Sequence, residues 1–427
     1  MHRLHILIPS LVLVAAIFGP AVSPSLAQEP VVVIRAARLL DVERGEIVPD
    51  AVVIVEGDRI AAVNPDALPA GADTIDLGDV TLLPGLIDAH THLTMDLEGD
   101  WVHRGVTSTP AEAALRGARN ARQTLEAGFT TVRDVGASGF ADVALARAVV
   151  TGWIEGPRIV PAGHALGITG GHCDETGYAP EVLEKDWRAG VADGVDEVVK
   201  AVRYQIKHGA KVIKVCATAG VLSHEASVGA QQYTEEELRA IVEEAARHDL
   251  KVAAHAHGTE GIKAAVRAGV ASIEHGSLLD DEAISMMKER GTWLVPTTYL
   301  VGRIDLDALP TGIRAKAEGV LPLAVESLRR AVAAGVPIAF GTDAAVFPHG
   351  ENAGEFAALV DRGMAPLAAI RAATLNAADL LEVDDRAVIA PGRLADLIAV
   401  PGNPLEEVRV LEDVRFVMLG GKVVSRR

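Results

Sequence analysis

Cysteine is nearly absent from this chain: Cys173 and Cys216 are the only two in 427 residues. Two cysteines in a chain of this length form no disulfide framework. They are expected to be free thiols or one inconsequential bridge. Aromatic residues are also scarce, at 4%, while Ala, Val, Leu and Gly abound, which favours tightly packed α/β layers over an aromatic binding surface. Basic residues are the minority charge: 40 Lys and Arg face 58 Asp and Glu, for a formal charge of −18. No Lys/Arg run is present, so a nucleic-acid partner is not expected. The acidity speaks to solubility and says little about substrate. Past the N-terminus no segment approaches about 20 unbroken apolar residues, so no stable membrane span is expected.

The N-terminus has its own character. "MHRLHILIPSLVLVAAIFGP" has a basic start at Arg3 and an apolar run to Phe18, and "SPSLAQEP" offers a small-residue cleavage site after Ala27. This pattern predicts a signal peptide over 1–27 and an exported, periplasmic or secreted, soluble protein.

What remains is apolar enough, at 49%, for a large core, and long enough for a barrel plus a smaller unit. Residues 28–80 alternate apolar and polar, with turns at Glu43-Arg44-Gly45 and Glu56-Gly57-Asp58; this is antiparallel β. Residues 386–427 repeat that character in "ADLIAVPGNP" and "VRFVMLGGKVV". One small β-sandwich built from both termini is expected. Between them, over 81–385, eight strand candidates alternate with helices: "VTLLPGLIDAH", "FTTVRDV", "RIVPAGH", "AKVIKVCA", "KVAAHAH", "ASIEHG", "TWLVPT" and "PIAFGTD". One of the helices opens on a Thr234-x-x-Glu237 capping box. Eight such units predict a (β/α)8, TIM-like barrel with its chemistry at the C-terminal strand ends. Two long connections, about 163–189 and 217–233, leave strand ends on that face and are expected to shape the site.

The strand ends carry an unusual set of side chains. In "GLIDAHTHL", His90 and His92 lie two apart on one strand and so point the same way. Two converging imidazoles are costly in a dry core unless something binds them, and a metal ion is the usual answer. "AHAHG" adds His255 and His257, "EHG" adds His275 and "FGTD" adds Asp343. In "KVIKVCATAG", alternation puts Val212, Lys214 and Cys216 on one face. A parallel barrel strand has no wet face for a lysine to reach. An ammonium repels cations, but a neutral amine can capture CO2 as a carbamate whose two oxygens bridge two ions. Plainer readings exist for each residue. Lys214 could snorkel to the surface, His257 could be a packed core histidine, and His172 and Tyr233 could be structural. His349 in "FPHGEN" reads as a loop residue.

On these motifs, in this order, the chain resembles the amidohydrolase superfamily. It is most similar to the binuclear-metal group that contains Xaa-Pro dipeptidases (prolidases) and ochratoxin-hydrolysing amidohydrolases. The resemblance runs from "PGLIDAHTHL" to "PGRLADLIAV". It implies two divalent ions, zinc above all, although N/O ligands also suit Mn, Co or Fe. His90, His92 and Asp343 would hold one ion, His255 and His275 the other, and carboxylated Lys214 would bridge them. A hydroxide shared between the ions would be the nucleophile, with Asp343 moving its proton to the leaving amine. The resemblance also implies that His172 polarises the scissile carbonyl and that the protein is a homo-oligomer. His257, one layer above His255, and Tyr233 would bind substrate. The expected reaction is cleavage of the amide to a C-terminal amino acid in Xaa-Pro dipeptides, N-acyl amino acids or ochratoxin-like toxins. A lactone or cyclic-amide hydrolase is the enzymatic alternative, although single-metal members lack the strand-four lysine. A non-catalytic binding scaffold is the alternative of another class.

Overall fold

The computed structural model describes residues 30–97, 99, 101–223 and 227–427; the expected signal segment lies outside them. The chain opens with β1 (Val31–Asp41) and β2 (Glu46–Glu56), an antiparallel pair in which Val31 faces Glu56. Their turn and the next fall where the Gly45 and Gly57 signals put them. β3 (Arg59–Val63), β4 (Asp73–Asp76) and β5 (Val80–Pro84) follow.

β6 (Leu86–Thr91), β7 (Phe129–Asp134) and β8 (Arg158–Pro161) form a parallel sheet of three strands. β9 (Ile213–Cys216), β10 (Val252–Ala256), β11 (Ser272–His275) and β12 (Trp293–Val295) form a parallel sheet of four. Every residue of β6, β7, β9 and β10 is buried. These strands are covered on both faces, which is why they read as nearly continuous apolar runs. Backbone hydrogen bonds join the two sheets: Leu166 N–H donates to Lys214 O and Cys216 N–H to Leu166 O, both at 2.8 Å. On the other side, Leu294 N–H donates to Pro337 O and Ala89 N–H to Phe340 O, again at 2.8 Å. The architecture is of the TIM-barrel type, with all parallel strands delivering their C-terminal ends to one face.

β13 (Leu397–Pro401), β14 (Phe416–Leu419) and β15 (Lys422–Arg426) close the chain. β13 pairs antiparallel with β5, so strands from both ends join one eight-stranded sheet. That sheet has its own core, including Ile34, Val53, Leu82, Leu397 and Phe416. The helices obey their sequence signals. Glu235–Ala246 starts at Thr234 with both hydrogen bonds of the expected capping box, and Pro110–Glu126 starts with another at Thr109.

Two expectations need correction. "VTLLPGLIDAH" is not one strand: β5 belongs to the terminal sheet and β6 to the barrel. Gly85 makes the step between them, where a Cβ would fall on the Thr130 side chain. "PIAFGTD" forms no regular strand. It is tied in by isolated bridges, Leu294 to Ile338 and Thr91 to Ala344. At Gly341 a Cβ would collide with Val295 and His90, and Asp343 takes a left-handed φ of 61°. The segment therefore bends toward β6 instead of running straight. Among the described residues no helix is long and apolar enough to cross a membrane.

Candidate metal centre

Strand direction brings the histidines together. His90 lies near the end of β6 with His92 just beyond the strand, Lys214 lies in β9, and His255 lies in β10 with His257 just beyond. His275 closes β11. Their rings form a chain of close neighbours: His90 to His275 is 5.0 Å between centroids, His275 to His255 is 4.8 Å, and His275 to His257 is 4.9 Å. Asp343 Oδ1 lies 3.5 Å from Nε2 of both His90 and His92. Every residue expected at the site except Tyr233 lines one cavity of about 350 Å³.

Neighbouring acceptors fix the imidazole tautomers. The His92 Nδ1–H donates to the Gly136 carbonyl at 3.0 Å, since a carbonyl can only accept. His90 Nδ1 lies 2.7 Å from Glu274 Oε2. Glu274 is fully buried beside Arg133, whose Nη2 donates to its Oε1 at 2.8 Å. Burial opposes its ionisation, yet Arg133 and His90 hold the carboxyl well below the usual range. An ionised Glu274 accepts, so the His90 proton sits on Nδ1 and the Nε2 lone pair faces the cavity. Partners of this kind orient metal-binding histidines.

Three of the rings are poor bases. Burial lowers His92 to about 4 and drives His255 and His275 well below the ordinary imidazole value. They are neutral at pH 7 and offer lone pairs. Nε2 of His90 and of His255 are buried without a hydrogen-bond partner. Buried polar atoms are normally satisfied, and each exception calls for an explanation. The donor set supplies one: ligand atoms of His90, His275 and Asp343 lie within 4.8 Å of one another, as do those of His255, His257 and His275. These residues fit divalent cations. Asp343 adds the anion. Burial works against its charge, but His90, His92 and Lys214 keep its pKa below normal. Lys214 is 4% exposed, and burial lowers its ammonium from 10.5 to about 8.

The arrangement also departs from the sequence reading. His275 belongs to both ligand groups, and His257 stands as near His255 and His275 as a ligand would. Its Nδ1 lies 2.7 Å from Ser277 Oγ. A hydroxyl both donates and accepts, so this contact leaves the tautomer open. His172 stacks on His255 at 4.1 Å between centroids. Tyr233 does not reach the cavity: it is buried, and its hydroxyl donates to Ala192 O at 3.0 Å. Its ring belongs to the main hydrophobic core. His349 is buried behind the wall, with Nε2 at 3.3 Å from Met95 O. Cys173 and Cys216 are bridged, and both line the cavity. The bridge was the second of the two expectations for them, but it is not inconsequential in its position.

Sequence reasoning missed Glu274, Arg133, Ser277 and Thr297. Glu274 had one signal, its place next to His275 in "EHG"; the others had none. Thr297 Oγ1 lies 2.8 Å from His275 Nδ1. Three residues here hold left-handed backbones: His275 at φ 72°, Thr297 at 49° and Asp343 at 61°. Strain of this sort persists where the surroundings over-determine it, and it concentrates at functional sites.

The Amidohydrolase family matches residues 81–424. The ochratoxinase of Aspergillus niger is 40% identical over 369 residues, which cover 80% of this chain and 75% of that protein. The crystal structure of a Xaa-Pro dipeptidase with methionine bound in its active site superposes with a TM-score of 0.88 at 38% identity, over 92% of this chain and 99% of that one. A prolidase complexed with N-methylphosphonate-L-proline superposes with a TM-score of 0.85 at 36% identity, over 93% and 100%.

Two predictions come from these contacts. In Glu274→Gln an amide N–H can face His90 and move the ring proton to Nε2. Metal affinity should fall about tenfold to a hundredfold with the fold intact; titration of apoprotein with zinc checks this, and unchanged affinity would contradict it. Lys214 reacts with CO2 only as the neutral amine, releasing one proton. Because burial lowers its pKa to about 8, the neutral fraction is small at pH 6 and large at pH 9. Recovery of apoprotein by zinc at a fixed concentration of dissolved CO2 should therefore quicken as pH rises through 8 and then level off. A rate independent of pH between 6 and 9 would remove Lys214 from the reaction.

Proposed function

The chain belongs to the amidohydrolase family and is a hydrolase acting on amide bonds; from that premise we propose that it is an exported, binuclear metal-dependent enzyme. It cleaves the amide joining an acyl group or residue to a C-terminal amino acid. Candidate substrates are Xaa-Pro dipeptides, N-acyl amino acids and ochratoxin-like amides, the first and last in keeping with the names of its relatives. The observation that carries this reading is the pair of partnerless buried Nε2 atoms, on His90 and His255, facing Asp343 and a buried lysine across one cavity. The (β/α)8 barrel is taken to span 86–385, with 28–84 and 386–427 forming the β-domain.

In this reading His90, His92 and Asp343 would hold one ion and His255 and His275 the other, with carboxylated Lys214 as a further ligand. When bound, the ions would supply Lewis acidity and access to hydroxide at neutral pH. The chain's own groups do the rest. Asp343, ionised beside His90 and His92, accepts the proton of the attacking water and passes it to the leaving nitrogen. His172, stacked over His255, donates to the carbonyl oxygen as negative charge gathers there.

Recognition of the C-terminal carboxylate rests on His257, since Tyr233 is turned away. Burial lowers His257 to about 3, so it acts as a neutral donor. If the Ser277 hydroxyl donates to Nδ1, the His257 proton stays at Nε2, aimed at the substrate. Leu300, Val301, Ile304 and Leu321 line the same cavity and suit an apolar acyl or side-chain group.

The test is a screen of zinc-loaded protein against Xaa-Pro and Xaa-Arg dipeptides, N-acyl aromatic amino acids and ochratoxin A. Hydrolysis of at least one of these is expected, and hydrolysis only of lactones or cyclic amides would overturn the substrate class. His257→Asn should keep both metals and lose kcat/KM by about tenfold to a hundredfold, the worth of one charge-assisted hydrogen bond. His255→Asn should lose metal. The reverse pattern would make His257 the ligand.

A further inference from the structure

We propose that the Cys173–Cys216 disulfide is a positioning element of this site, tying the segment that carries His172 to the strand that carries Lys214 and so fixing the His172 ring over His255. The inference rests on the role given to His172 above. Its geometry is independent of that role.

Cys216 is the last residue of β9, 1% exposed. In the parallel register of β9 and β10 its partner is His255. The bridge therefore leaves the barrel at the position beside His255. Its other end is Cys173, with a Cα–Cα distance of 5.9 Å. His172 precedes Cys173 directly, and its ring lies 4.1 Å from that of His255 at an interplanar angle of 26°. One covalent tie thus spans from beside the imidazole below to beside the imidazole above.

The surroundings are cut to this arrangement. The His172 N–H donates to Gln232 Oε1 at 3.1 Å. The Gln232 N–H in turn donates to Ala217 O at 2.9 Å, one residue past the bridged Cys216. At Gly220 a Cβ would fall on the His172 ring, and at Gly167 it would press on the Cβ of Cys173. Both places are kept clear by glycine. Elsewhere in the 169–186 segment, the contact of Thr169 with Asp193 is exposed, and exposed polar contacts contribute little. The bridge is a covalent tether of the segment, and it sits beside the residue whose placement matters. The exported compartment proposed above would keep it closed, whereas a thiol-rich cytosol would not.

Reduction is the direct probe. A water-soluble phosphine gives two electrons to the sulfur pair, the S–S bond breaks, and two thiols form with protons from water. The phosphine leaves as its oxide. A dithiol is avoided because it strips zinc. Three samples of full-length, zinc-loaded protein are compared: oxidised, phosphine-reduced, and the Cys173→Ser/Cys216→Ser variant. The first readout needs no substrate: amide hydrogen exchange of peptides covering 168–176, with zinc content measured alongside. Opening the bridge should speed exchange there and leave zinc content unchanged. The second is kcat and KM on whichever screened amide the oxidised protein hydrolyses. The expected result is a fall in kcat of about tenfold to a hundredfold, the cost of a misplacement near 1 Å, with KM within about twofold. Phosphine should do nothing further to the double variant.

Unchanged exchange over 168–176 would overturn the proposal, and so would faster exchange with unchanged kcat. The control His172→Gln separates this inference from the proposed function. Full activity in His172→Gln removes His172 from the reaction, and with it the positioning role. If the oxidised protein hydrolyses none of the screened amides, the proposed function fails, and exchange alone decides whether the bridge fixes the segment. Should the double variant fail to fold, the reduced wild-type protein carries the same comparison.

Discussion

Six of the side chains at this site are imidazoles packed against one another inside a barrel, and that crowding is the constraint on which the rest depends. Such rings cannot be protonated together: burial and mutual repulsion hold His92, His255, His257 and His275 well below the ordinary imidazole value. They cannot be left alone either, because an unsatisfied buried polar atom costs about 1–3 kcal/mol. A cation would satisfy the lone pairs of such rings. The carboxylate of Asp343 and the buried amine of Lys214 fit beside one.

The fold serves this convergence. Parallel strands bring His90, Lys214, His255 and His275 to the same end of the barrel. The irregular eighth segment bends at Gly341 so that Asp343 faces His90 and His92. Behind the candidate ligands runs a buried relay: Arg133 holds Glu274 ionised, and Glu274 holds the His90 proton on the far nitrogen. Above them, the segment after β8 lies over the site, joined to the end of β9 by the Cys173–Cys216 bond.

Much of this was legible in the chain because each signal was local. A histidine pair at the end of an apolar run, a lysine on an inward face, and a Thr-x-x-Glu box before a helix all carry their meaning within a few residues. What was hidden was set by distant contacts. Glu274 reaches His90 across 184 residues of sequence, and no periodicity announces that. Tyr233 lay in the right loop, but its hydroxyl was claimed by Ala192 on another segment. "PIAFGTD" had the composition of a strand, yet steric limits at Gly341 and a left-handed Asp343 kept it irregular. The cysteines, 43 residues apart, could be paired only once β9 and the loop after β8 were placed.

The central claim is that these residues exist to hold two divalent ions. Elemental analysis of the folded full-length protein, purified with zinc and bicarbonate and then freed of loose metal, tests it most directly. The account predicts close to two divalent ions per chain. A folded protein that retains none would contradict it.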